Sequence, residues 1–139
     1  MLLPPGDTQA ISARQGPVLG PILIIEQDSA IRRALAQVLT DEGFDVRCAV
    51  DADDATKVLM EELIRPSLVI LDLWTAEVAG CGWGNLERGL SELGDTPLLV
   101  MRAEGALPRA LKALSRMRVL REPYGSAELL GMISSLVVR

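Results

Sequence analysis

The sequence predicts an α/β fold, in which a parallel β-sheet is covered by helices on both faces. The main observation is that short, branched apolar runs alternate with segments of helical period, and that this alternation occurs five times. The composition agrees, because 49% of the residues are apolar and only 3% are aromatic, which predicts a core of Leu, Ile, Val and Ala. A chain of 139 residues is long enough for one domain with one core of ordinary size.

The first half of the chain predicts three strands and two helices. Residues 22–25 (ILII) indicate a fully buried strand, and further strands are predicted at 44–50 and 67–74. Asp28 or Ser29 is expected to cap the first helix and Asp51 the second, which Pro66 ends. The residues expected to face inward are Ile31, Leu35, Val38 and Leu39 in the first helix, and Ala55, Val58, Leu59 and Leu63 in the second.

The second half continues the alternation. A short third helix is predicted around 85–93, strands at 97–101 and 119–120, and a fourth helix with Pro108 in its first turn. Ser126 is expected to cap the last helix. The inward residues are Leu107, Leu111 and Leu114 in the fourth helix, and Leu129, Ile133 and Leu136 in the last. Residues 1–20 are rich in Pro and Gly and are predicted to form a flexible extension, so the domain is placed at 21–139.

The composition also excludes several classes of function. The chain has no histidine, which removes the commonest general base and metal ligand. Its two cysteines, Cys48 and Cys81, suit neither a metal site nor a disulfide framework, and a net charge of −5 argues against a nucleic-acid binder. No apolar run is long enough to span a membrane and no signal-peptide pattern is present, so a cytoplasmic location is expected.

Polar residues follow the apolar runs at the ends of four predicted strands. They are Glu26 and Gln27 after the first, Asp72 in the third, Arg102 after the fourth and Glu122 after the fifth. Because the carboxyl ends of parallel strands meet at one edge of a sheet, these side chains are expected to form one site. Asp72 carries most weight, since it lies within the apolar octet SLVILDLW, where a lone carboxylate is costly.

Residues 21–139 resemble the receiver domains of bacterial two-component response regulators. The resemblance rests on four motifs in the family's order: ILIIEQD, VILDLW with Gly80 eight residues after Asp72, PLLVMRA, and REPY. It implies a flavodoxin-like, five-stranded parallel sheet of strand order 2-1-3-4-5 with five helices, and a signalling domain rather than an enzyme.

The resemblance also implies a role for each residue of the predicted site. Asp72 matches the aspartate that accepts a phosphoryl group, and Glu26 and Gln27 match the pair of acids that holds Mg²⁺. Arg102 stands where the family has a Thr or Ser that binds the phosphoryl oxygen. Glu122 stands where the family has a Lys that contacts the phosphoryl group.

Three of these positions depart from the family pattern in ways that oppose its chemistry. Gln27 offers a carbonyl oxygen without charge, which weakens Mg²⁺ binding. Glu122 replaces a cation by a carboxylate that repels a phosphoryl group, and Arg102 has no hydroxyl. We therefore expect neither a metal nor another cofactor, with Glu26 and Asp72 as the residual Mg²⁺ candidates, and we expect Arg102 to bridge Asp72 and Glu122.

Two functions follow from the resemblance, and a third class is poorly supported. The preferred one is a degenerate receiver, a pseudo-receiver, that acts by phosphorylation-independent protein–protein interaction. The alternative is a receiver that is still phosphorylated on Asp72 by a histidine kinase or a small phosphodonor, with Mg²⁺ bound and Arg102 in place of the usual Lys. A flavodoxin-like enzyme or nucleotide-binding protein would need a Gly-rich loop after the first strand, which the sequence lacks.

Basic residues are concentrated near the carboxyl terminus. Residues 1–100 contain 16 acids and 7 bases, whereas residues 101–139 contain 3 acids and 7 bases. The basic residues of the predicted fourth helix and fifth strand are Arg109, Lys112, Arg116, Arg118 and Arg121. The resemblance implies that the fourth helix, fifth strand and fifth helix form a partner or dimer surface, so an acidic protein partner or a second copy is expected there. A solvated helix face explains these charges equally well, and nucleic acid is expected to bind only through an output domain outside this chain.

Overall fold

The computed structural model describes residues 20–72, 83–102 and 117–137, except for the side chains of residues 83–85, 87 and 102. The predicted fourth helix, with Leu107, Leu111 and Leu114, falls within 103–116 and so lies outside the described residues. The predicted extension lies outside them as far as residue 19.

The described elements alternate along the chain as the sequence predicts. They are β1 (Ile22–Ile25), α1 (Ser29–Asp41), β2 (Val46–Ala49), α2 (Ala52–Thr56) with a π-helical continuation (Lys57–Glu61), β3 (Leu68–Asp72), α3 (Trp83–Glu92), β4 (Leu98–Arg102), β5 (Met117–Arg121) and α4 (Ser126–Leu136). Here α4 is the fifth of the helices predicted from the sequence.

The five strands form one sheet in the order β2-β1-β3-β4-β5, and every neighbouring pair is parallel. This order confirms the predicted fold class. The sheet's carboxyl edge, at which all five strands end, therefore carries the ends of β1, β3 and β4 side by side.

Each face of the sheet has its own apolar core, because successive strand residues point to opposite sides. The α1/α4 face packs Ile22, Ile24, Leu68 and Ile70 against Leu35, Leu39, Leu129 and Ile133. The α2/α3 face packs Leu23, Ile25, Val69 and Leu71 against Ala55, Val58, Leu59, Leu86 and Leu90. Most of the residues predicted to face inward therefore lie in one of these two cores.

Two of the predicted helix caps are confirmed and one is wrong. Asp28 caps α1, accepting hydrogen bonds from the N–H groups of Ala30 (2.9 Å) and Ile31 (3.1 Å). Asp51 caps α2 through the N–H of Asp54 at 2.8 Å. Ser126 is instead the first residue of α4, because the extended residue before the helix is Gly125, which has no side chain to cap it.

Two residues predicted to face inward are exposed. Leu63 is 70% exposed, because α2 widens into the π-helical segment and the chain turns at Leu63 with a φ of 55°. Ile31 is 45% exposed, because it lies in the first turn of α1, at the end of the helix next to the sheet's carboxyl edge.

The chain enters the sheet through a tight contact at Gly20. A Cβ at this position would lie 1.7 Å from the carbonyl oxygen of Arg65. Ser67 then donates from its hydroxyl to the Gly20 carbonyl (2.8 Å) and from its N–H to the Pro21 carbonyl (3.0 Å). These contacts fix the amino-terminal end of β1 at the edge of the sheet opposite its carboxyl edge. No helix within the described ranges is long and apolar enough to cross a membrane.

Candidate functional site

Glu26 and Asp72 lie next to each other at the carboxyl edge of the sheet. Ile25 pairs with Leu71 in the parallel register, so the residues that follow, Glu26 and Asp72, are level with each other. Each lies two residues after an isoleucine that points to the α1/α4 face, Ile24 and Ile70, so both acids lie on that face of the sheet. The prediction that these two acids share one site is consistent with this geometry.

The Glu26 side chain is buried, although it is a carboxyl group. Its exposed fraction is 2%, and its carboxyl is hydrogen-bonded to that of Asp72. Burial raises the pKa of Glu26 to about 7; the hydrogen bond and the charge of Asp72 also raise it, and the N–H of Asp28 lowers it. Two carboxyl groups can form a hydrogen bond only when one of them carries the proton. At a pH below about 7 the Glu26 carboxyl therefore carries the proton of this hydrogen bond.

The turn after β1 is closed by hydrogen bonds from both sides. The N–H of Asp28 donates to Oε2 of Glu26 at 3.0 Å. Nη1 of Arg32, in the first turn of α1, donates to the main-chain carbonyls of Glu26 (2.8 Å) and Gln27 (3.2 Å). The turn and the first turn of the helix thus form one hydrogen-bonded unit.

Tyr124 borders the acid pair from the side of β4 and β5. Met101 pairs with Asp72 in the register, and the Tyr124 hydroxyl lies 3.3 Å from the Met101 sulfur. Tyr124 is half-buried, and burial raises the pKa of its phenol; the charges of Glu122, Glu26 and Asp72 raise it further. Tyr124 therefore lies close enough to the acid pair for the charges of both carboxyl groups to act on its phenol.

The predicted bridge from Arg102 to Asp72 and Glu122 stays a prediction. The backbone of Arg102 ends β4 and pairs with Arg121, but its side chain lies outside the described part of the structure. Glu122 is exposed and precedes a cis peptide bond to Pro123. The contact that the structure does describe is a different one, between Asp72 and Glu26.

The residues of this edge fit a divalent cation poorly. Glu26 is already bonded to Asp72 and to the Asp28 N–H, and the exposed residue next to it, Gln27, has an uncharged side chain. Over the ranges 20–72, 83–102 and 117–137, no group of three or more His, Cys, Asp and Glu residues is placed to hold a metal ion.

The structure describes two of the five residues of the predicted basic surface. Arg118 and Arg121 are both exposed on β5. Since Val119 packs towards the α2/α3 face and Leu120 towards the α1/α4 face, Arg118 and Arg121 belong to opposite faces of the sheet. A partner that contacts both must reach around the edge of β5. Arg109, Lys112 and Arg116 lie outside the described residues.

The sequence predicts no role for Arg32 or Tyr124, both of which the structure places near the acid pair. The position of Tyr124 in the sequence could have indicated a role, because it follows Glu122 and Pro123 directly at the carboxyl edge. Arg32 carries no comparable signal, because an arginine in the first turn of a helix is typical of a solvated surface.

Comparisons with known proteins give sequence relatives among response regulators. The chain is 31% identical over 93 residues to a putative response regulator NtrX-like protein of Rickettsia bellii, covering 67% of this chain and 19% of that protein. It is 30% identical over 117 residues to the response regulator protein TodT of Pseudomonas putida, covering 81% of this chain and 48% of TodT. The chain thus spans half or less of the length of these relatives. No protein-family model matches it.

Solved structures agree on the fold. A response regulator receiver protein from Sinorhizobium medicae has a TM-score of 0.69 at 22% identity, covering 86% of this chain and 94% of that one. The chemotaxis protein CheY4 of Vibrio cholerae has a TM-score of 0.67 at 21% identity, covering 86% and 99%. The relatives in sequence and the fold together identify this chain as a receiver domain of the response-regulator type.

Proposed function

We propose that this receiver domain is a pseudo-receiver, which signals through protein–protein interaction without being phosphorylated. The observation that carries the proposal is the hydrogen bond between the Glu26 and Asp72 carboxyl groups. A phosphoacceptor must attack as a free carboxylate, and a carboxylate that accepts a hydrogen bond from a neighbouring carboxyl group is a weaker nucleophile. The same bond occupies Glu26, the one acid that matches the metal-binding pair.

The residue types around the pair support the same proposal. A transferring phosphoryl group needs positive charge around its oxygens, normally from a metal ion and a lysine. Gln27 and Glu122 supply neither charge, and Glu122 adds a negative one. The domain has no catalytic activity of its own under this proposal, and it binds neither Mg²⁺ nor another cofactor.

The proposed partner is a protein with an acidic surface, and the proposed binding surface includes Arg118 and Arg121. Both guanidinium groups are exposed on β5, in the part of the chain with excess positive charge. A second copy of this chain is the other candidate, because residues 1–100 carry the complementary negative excess.

The competing function is a receiver that is phosphorylated on Asp72 with Mg²⁺ bound. One observation favours it: Asp72 is only half-buried, so a phosphodonor can reach it from solvent. In that case a cation must displace Glu26 from Asp72, and Arg102 must neutralise the phosphoryl oxygens.

Incubation with acetyl phosphate and Mg²⁺, followed by intact-mass spectrometry, tests the proposal. The expected result is no covalent phosphoryl adduct, with Asp72→Asn behaving as the wild type does. The matched positive control is the triple variant Gln27→Asp, Arg102→Thr, Glu122→Lys, which restores the family's residue types. An adduct on the wild type that Asp72→Asn abolishes would overturn the pseudo-receiver proposal in favour of the competing function.

A further inference from the structure

Arg32 makes contacts that a solvated helix residue does not need. A single nitrogen, Nη1, donates to two successive main-chain carbonyls, those of Glu26 and Gln27. The side chain is half-buried, whereas the next residue, Arg33, is exposed. Burial raises the pKa of the Cys48 thiol, and the charge of Arg32 opposes that rise.

These contacts fix the part of the chain from which the Glu26 side chain projects. β1 ends at Ile25, so the carbonyls that follow it need new partners, and the guanidinium supplies them. Once both carbonyls are held, the orientation of the turn is set. The Asp28 N–H then points at Oε2 of Glu26 and holds that carboxyl against Asp72.

We infer that Arg32 is a positioning residue for the acid pair: its guanidinium closes the turn after β1 and thereby keeps the Glu26 carboxyl on Asp72. This inference rests on the proposed function, because it assumes that the Glu26 carboxyl occupies Asp72. Charge-assisted hydrogen bonds to main-chain carbonyls are stronger than neutral ones, which suits this role.

The test compares Arg32→Gln with Arg33→Gln by NMR, without metal or phosphodonor. In Arg32→Gln the amide hydrogen of Asp28 is expected to exchange with solvent about tenfold faster, because its acceptor, the Glu26 carboxyl, is no longer held in place. The exchange rate of the Ile24 amide, which lies in the core, serves as the reference. The side-chain carboxyl carbon of Asp72 is expected to shift, as its partner moves away. Arg33→Gln removes the same charge from the same turn and is expected to change neither signal. Arg32→Lys, which keeps a donor on a flexible stem, is expected to restore both in part.

Unchanged Asp28 exchange and an unchanged Asp72 carboxyl signal in Arg32→Gln would overturn the inference. If that variant does not fold, the NMR spectrum of the wild type tests the inference. The Nη1 protons of Arg32 are expected to give resolved signals because they are hydrogen-bonded, whereas those of Arg33 are expected to give averaged signals. Averaged signals from both arginines would contradict the inference. Phosphorylation of the wild type would contradict the proposed function and leave these readouts unaffected, so the two failures are distinguishable.

Discussion

At the scale of single residues, burial raises the pKa of the Glu26 carboxyl well above its value in water. A buried carboxylate without a cation is costly, and this cost is reduced because the Glu26 carboxyl keeps its proton up to a pH of about 7 and accepts a hydrogen bond from the Asp28 N–H. The Glu26 carboxyl therefore links the folding equilibrium to pH near neutrality. The hydrogen bond from the Glu26 carboxyl also occupies the Asp72 side chain.

The folded protein is expected to lose stability as the pH rises from about 4.5 to about 7. The pKa of Glu26 is about 7 in the folded state against 4.5 for the unperturbed group, so the folded state binds the proton more tightly in this window. Unfolding releases that proton. The contribution of Glu26 to the free energy of unfolding is therefore present in full below pH 4.5 and is lost as the pH rises to about 7, by about 3 kcal/mol in all. Urea denaturation between pH 4.5 and pH 8 measures the effect.

Glu26→Gln is expected to flatten this pH dependence, because an amide does not titrate. The matched control is Glu92→Gln, which alters an exposed glutamate at the end of α3 and should leave the slope as it is. Equal slopes for the wild type and Glu26→Gln would show that Glu26 does not carry the proton in question.

The proximity of Glu26 and Asp72 is predictable from sequence, but their hydrogen bond is not. Both acids end apolar strands, and a parallel sheet brings such ends together. The bond depends on the turn of the chain at Gln27, which Arg32 and Asp28 set. The sequence predicts Arg102 as the partner of Asp72, and no pattern in the sequence indicates a hydrogen bond between two acids.

At the scale of elements, the second helix is the described helix that differs most from its prediction. An inward stripe assumes 3.6 residues per turn, and the π-helical segment Lys57–Glu61 has a wider turn. Val58 and Leu59 are therefore buried as predicted, whereas Leu63 is exposed. The segment closes with the Ile64 N–H donating to the Val58 carbonyl at 3.1 Å, which leaves Leu63 in the left-handed region.

Leu63→Gly is expected to raise the free energy of unfolding by about 0.5–1 kcal/mol. A φ of 55° is unfavourable for leucine and costs glycine little, and Leu63 loses few contacts because it is 70% exposed. Leu63→Ala is the control, since it removes the same side chain but keeps a Cβ and so gains nothing. Urea denaturation of the three proteins measures the difference. Equal stability of the two variants would mean that the left-handed backbone at Leu63 is not strained.

At the scale of the whole molecule, the fold follows from apolar patterning, and the site follows from the fold. Five buried strands in parallel need helices on both faces, and the order β2-β1-β3-β4-β5 puts β1 and β3 together at the centre. The acid pair lies at that central position, on top of the α1/α4 core. The strand order itself was predictable only through the resemblance to receivers, because strand alternation fixes the class of sheet and not its order.

The activity is less predictable than the fold, because a few substitutions at the sheet's edge decide it. Gln27 and Glu122 change charge without changing any apolar pattern, so the same architecture serves an active receiver or a pseudo-receiver. Their effect depends on whether Mg²⁺ or a phosphoryl group can displace Glu26 from Asp72.

An NMR titration of the wild-type domain, first with Mg²⁺ and then with beryllofluoride as a phosphoryl mimic, tests the pseudo-receiver proposal most directly. The triple variant Gln27→Asp, Arg102→Thr, Glu122→Lys is the positive control and is expected to give saturable shifts. The account predicts flat titrations for the wild type, with the amides of Glu26 and Asp72 unmoved by either addition. Saturable shifts at Asp72 that spread to β5 would contradict it and indicate a working phosphorylation switch.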